Sequence, residues 1–113
     1  MDLEERIAHL EYKLELLFEN TEISRYLYEC DITKAETNEI MDLFECIRNS
    51  LMNGVSVSHV EYESAMYDII PRKNGDYHFC ELLARLFSEN GQWEEVFYAL
   101  YGDMLKYKSL VNE

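Results

Sequence analysis

Three features of the 113-residue sequence predict an all-α fold, an antiparallel bundle of four to five helices opened by a long N-terminal helix. Apolar residues recur at helical spacing almost from end to end. The interruptions carry helix start and stop chemistry. Strand-like alternation is confined to Val55-Ser56-Val57, too short to pair alone.

The first segment places Leu3, Ile7, Leu10, Leu14 and Leu17 at alternating steps of four and three, the spacing of a coiled-coil stripe. Continuing that register meets Thr21 and Ser24, so the stripe lapses after two heptads. A second apolar line, Tyr12, Leu16, Ile23 and Leu27, occupies another face. A helix apolar on two sides must bury both, one in its own domain and the other against a neighbour. The expectation is a helix over residues 2–29, with Asn20-Thr21 as the point of a kink or restart.

Thr33 with Glu36 forms a capping box, in which each side chain takes a backbone N–H that the helix leaves orphaned. The second helix then buries Ile40, Leu43, Phe44, Ile47 and Leu51 and stops at Gly54. Ser58 with Glu61 opens a third, expected to turn Val60, Ala65, Met66 and Ile69 inward and to close at Ile70-Pro71. Residues 72–75 read as an exposed loop. Asp76 caps a fourth helix with Phe79, Leu82, Leu83, Leu86 and Phe87 on its inner face. After the Asn90-Gly91 turn, a fifth presents Trp93, Val96, Phe97, Leu100, Met104 and Leu105 and ends near Val111. The short connections make neighbouring helices antiparallel, and with no repeat or linker the chain reads as one domain over residues 1–113.

Composition excludes several functions. Against 10 Lys+Arg stand 23 Asp+Glu, a net charge of −13, concentrated before residue 72. Duplex DNA and anionic membranes both need a cationic partner, so neither is expected. The Asn90-Gly91 turn resembles a helix-turn-helix corner, but the following helix would push Glu94 and Glu95 at phosphates. No apolar run approaches a membrane span, and Met1-Asp2-Leu3-Glu4-Glu5 lacks the basic start of a signal peptide; the expectation is a cytoplasmic protein. Cys30, Cys46 and Cys80 are odd in number and widely spaced, as in small hydrophobes of a reducing compartment.

The best catalytic pattern is the carboxylate series Glu36, Glu39, Asp42 and Glu45. Paired acids facing each other across two helices hold divalent ions in all-α nucleotide pyrophosphohydrolases, where the metals neutralise phosphate charge. Here the facing half would come from Glu94, Glu95 and Asp103, or from Glu61 and Glu63, and neither set has the Glu-Glu-x-x-Glu spacing. No metal or other cofactor is therefore expected, and Glu36, Glu39 and Asp42 stand only as candidates. His9, flanked by Glu5 and Lys13, suits an exposed helix position. His78 and Cys80 point apart if their segment is helical, and nothing marks a cysteine as activated.

Nine tyrosines and one tryptophan exceed the needs of a core this size. Tyr26, Tyr28, Tyr62, Tyr67, Tyr98, Tyr101 and Tyr107 fall near amphipathic faces, where half-buried tyrosine suits an interface rim.

The chain resembles the YhaI-like family of small bacterial proteins. The matching residues are Arg6-Ile7, Leu10-Glu11-Tyr12, Leu16-Leu17 and Ile32-Thr33-Lys34, then Leu86-Phe87, Gly91-Gln92-Trp93 and Val96-Phe97. Roughly residues 48 to 75 do not take part. The resemblance implies an all-α bundle that associates into oligomers, and it transfers no catalytic or binding residue. Taken together, these readings predict a non-enzymatic helical protein that works by self-association or by binding another cytosolic protein. Its interface would be Leu3, Ile7, Leu10, Leu14 and Leu17. The alternatives are the metal-dependent hydrolase and an acidic decoy of a basic protein or of nucleic acid.

Overall fold

A computed structural model describes residues 1–104. Its elements are six α-helices, α1 (Leu3–Glu19), α2 (Glu22–Glu29), α3 (Lys34–Met52), α4 (His59–Ile69), α5 (Tyr77–Glu89) and α6 (Glu94–Tyr101), with a 3-10 turn over Pro71–Lys73. Among the described residues there is no strand, so Val55-Ser56-Val57 belongs to the α3–α4 connection.

The expected first helix is two helices. Asn20 takes the left-handed conformation at φ 52°, which a short polar side chain tolerates better than most residues, and this ends α1. Thr21 restarts the chain: its hydroxyl accepts from the Ser24 N–H, and the Ser24 hydroxyl accepts from the Thr21 N–H. Ser24, on the predicted continuation of the stripe, is buried as part of this cap.

The remaining helices begin where their caps place them. Thr33 and Glu36 form the reciprocal box at α3, Ser58 accepts from the Glu61 N–H at α4, and Asp76 accepts from the Phe79 N–H at α5. Trp93 departs from the expectation. It precedes α6 in the left-handed conformation at φ 53° and supplies no side-chain cap; its ring packs on Phe44 and its Nε1–H donates to Glu45 at 3.1 Å. Leu105, Tyr107 and Val111 lie outside the described residues, and Met104 packs at the edge of the core.

One core cluster draws on all six helices. Helix α3 packs on α4 and α6, α5 on α2, α4 and α6, and α1 on α2. At the centre, the Phe44 ring meets Tyr62, Phe87 and Trp93 at centroid distances of 5.4, 5.2 and 5.2 Å. The inner face of α4 differs from the expected one: Val60 is 62% exposed, Ala65 and Ile69 are half-buried, and Tyr62 and Met66 are fully buried. A bulky aromatic ring one turn into the helix claims the core-facing direction, and Val60, 200° away around the axis, is left in solvent.

Candidate functional site

The surface that stands out is the outer face of α1. At 100° per residue, Leu3, Ile7, Leu10, Leu14 and Leu17 fall within one narrow stripe, and Tyr12 and Leu16 fall opposite it. Burial follows that division. Tyr12 and Leu16 are 8% and 3% exposed, whereas the stripe residues are 70%, 48%, 61%, 66% and 46% exposed in chain order. Phe18, 94% exposed, extends the patch along one edge. Phe18 is not part of the predicted stripe because it sits one residue off the 4-3 repeat; its helical angle beside Leu14 is the signal that finds it.

Polar anchors on the inner side fix which face of α1 looks outward. The Tyr12 hydroxyl donates to Thr37 Oγ1 at 2.8 Å, and Thr37 in turn donates to the Thr33 carbonyl at 2.9 Å. Asp31, held at φ 58° in the α2–α3 turn, receives His9 Nε2 at 2.8 Å and Lys13 Nζ at 2.6 Å on one carboxylate oxygen. These hydrogen bonds hold the Asp31 carboxyl below its usual range. His9 therefore looks to Asp31 rather than to Glu5 or Lys13, as its helical neighbours alone suggested.

A second anchor ties the far side of this turn. Arg72, in the segment expected to be an open loop, donates to both Glu36 carboxylate oxygens at 2.6 and 2.9 Å and to the Asp31 carbonyl at 3.2 Å. Burial raises the Glu36 pKa, but the Arg72 guanidinium and the Thr33 N–H outweigh it, leaving the carboxyl below its usual value. Glu36 is thus engaged by a cation and a cap, while Glu39 and Asp42 face solvent. Among the described residues, no group of three His, Cys, Asp or Glu comes together as a metal would require.

The remaining candidate chemistry is dispersed. His78 is exposed while Cys80, two residues on, is fully buried, and burial pushes its thiol up to about 12. Burial also raises the Cys30 thiol. Both stay protonated at neutral pH, when nucleophilic attack needs the thiolate. Cys46 is exposed on α3. A cleft of about 400 Å³ runs between α1, α2 and α3, with Tyr12, Glu15, Lys34, Thr37, Asn38 and Gln92 among its walls.

The tyrosines do less at the surface than their spacing suggests. Tyr62 and Tyr101 are core residues, their hydroxyls donating to the Cys80 carbonyl at 2.8 Å and to Glu63 at 2.7 Å. Tyr26 and Tyr67 are half-buried, and Tyr28 and Tyr98 remain at the rim. The surplus of rings therefore builds the core as well as its edge.

Fold and surface together define an all-α bundle that, among the described residues, exposes an apolar face of α1. No family model, curated protein or solved structure matches this chain. Among the described residues, no helix is long and apolar enough to cross a membrane.

Proposed function

We propose that this chain is a non-enzymatic cytoplasmic protein that acts by association, assembling with copies of itself through the outer face of α1. The exposure of Leu3, Ile7, Leu10, Leu14 and Leu17 along a single face carries this reading. Burying one such side chain is worth about 1.5–3 kcal/mol, so five in a row favour any arrangement that covers them. Contiguous apolar patches of this kind mark interaction sites on soluble proteins. The inner side of the same helix is already satisfied by Tyr12, Leu16 and the Asp31 contacts, so covering the stripe requires no rearrangement of the bundle. The resemblance to YhaI-like proteins, which implies association into oligomers, points the same way.

Light scattering behind size exclusion tests the proposal. The expected result is a mass that is a multiple of 13.5 kDa at two protein concentrations. Leu10→Glu is expected to reduce it to one chain while circular dichroism stays at the wild-type helicity, because Leu10 is 61% exposed and lies outside the buried core. A wild-type chain that is monomeric at both concentrations overturns the proposal.

A further inference from the structure

Resting on the self-association proposed above, we infer that α1 pairs in parallel and in register with α1 of a second copy. The charges beside the stripe are segregated by sign, and that segregation sets the direction. In the 3.5-residue repeat, Ile7 and Leu14 take position a, and Leu3, Leu10 and Leu17 take position d. Position e on one edge then holds Glu4, Glu11 and Phe18, and position g on the other holds Arg6 and Lys13. Glu4, Arg6 and Glu11 are exposed, and no ion pair engages them among the described residues.

Residues at e and g of paired helices lie across the seam from one another and select partner and orientation. When two copies of α1 run parallel, position g of one faces position e of the next heptad of the other. Arg6 of each copy then meets Glu11 of its neighbour, twice over by the two-fold symmetry. When they run antiparallel, with position a of one facing position d of the other, each edge meets its own kind: Glu4 faces Glu11, and Arg6 faces Lys13. Like charges at such positions repel. Lys13 is already drawn to Asp31 at 2.6 Å, so Arg6–Glu11 is the pair that sets the orientation.

The rest of the chain accommodates the parallel seam. The bundle hangs from Tyr12 and Leu16, half a turn round the helix from the stripe, so two bundles fall on opposite sides of the pair. Leucine at every d position with isoleucine at one a position suits two strands. The seam ends where α1 does, at the left-handed Asn20.

Charge reversal and disulfide trapping separate orientation from association. Arg6→Glu and Glu11→Lys are each expected to weaken the dimer about tenfold, and the double variant to restore it. Glu11→Lys is the sharper of the two, because it lowers the acidic charge of both copies and yet weakens their pairing. A tighter dimer from Arg6→Glu, through new attraction to Lys13, overturns the parallel arrangement. In a Cys46→Ser background, Leu3→Cys is expected to link to its own kind on oxidation, the two positions lying within the roughly 5.5–6 Å Cα separation a disulfide needs. In an antiparallel pair Leu3 lies opposite Leu14, the two Leu3→Cys positions stand about 16 Å apart along the axis, and Leu3→Cys links to Leu14→Cys instead. That crossed link overturns the orientation while leaving self-association standing. A wild-type chain that is monomeric by light scattering overturns both.

Discussion

The aromatic centre around Phe44 and the outer face of α1 are equally apolar in sequence, and the fold treats them in opposite ways. Phe44 is fully buried against three aromatic rings, and Tyr62 beside it has its hydroxyl hydrogen-bonded to a backbone carbonyl. Leu10, at the middle of the stripe, is 61% exposed. Both sets obey helical spacing, which brings side chains to a common face but does not say what that face meets. On α1 two apolar faces compete. The face that also carries polar anchors, Tyr12 to Thr37 and the His9 and Lys13 contacts to Asp31, is the one drawn against the bundle. Complementary hydrogen bonding decides between faces that hydrophobicity alone leaves equivalent.

Truncating one residue in each region is the most direct way to break the comparison. Phe44→Ala is expected to cost about 3–5 kcal/mol of stability in chemical denaturation, from lost transfer energy and the cavity left among close-packed rings. A loss below 1 kcal/mol would mean that the centre repacks freely and is no better defined than the stripe.

A smaller effect is expected at the anchor of the α2–α3 turn. The folded Glu36 carboxyl lies below its ordinary value of 4.5, so its contribution is fully present above that pH and is lost as pH falls through and below it. Glu36→Gln should cost about 1 kcal/mol at neutral pH, the size of a partly buried ion pair sharing a cap. The gap between variant and wild type should close as the pH is lowered from 4.5 through the depressed folded-state value. A gap independent of pH would assign the effect to shape rather than to the charge facing Arg72.

The smallest stability change is expected on the stripe itself. Leu10→Ala in dilute, dissociated protein should alter unfolding by no more than about 0.5 kcal/mol, as for other surface positions. The same substitution should raise the dissociation constant of the assembly. A core-sized destabilisation of the monomer would place Leu10 in the core and remove the contrast.

Much of the architecture is legible in the sequence because its causes are local. Thr33 with Glu36, Ser58 with Glu61 and Asp76 with the Phe79 N–H act across three residues, so the starts of α3, α4 and α5 need no knowledge of the rest of the chain. The stripe is legible for the same reason: its five residues lie on one helix and their spacing alone aligns them. The metal candidates fare differently. Glu36 pairs with Arg72, 36 positions along the chain, a distance over which helical periodicity carries no information, while Glu39 and Asp42 face solvent.

By itself, the sequence determined the all-helical class, the capped helix starts and the existence of two apolar faces on the first helix, all consequences of bonds and side-chain directions within a turn or two. Only the tertiary structure decided that Tyr62 rather than Val60 turns inward, that His9 and Lys13 meet at Asp31, and that the leucine stripe is left exposed. Those outcomes depend on which residues, distant in the chain, compete for the same interior space and the same polar partners. That competition is settled by packing together with polar pairing, and helical period encodes neither.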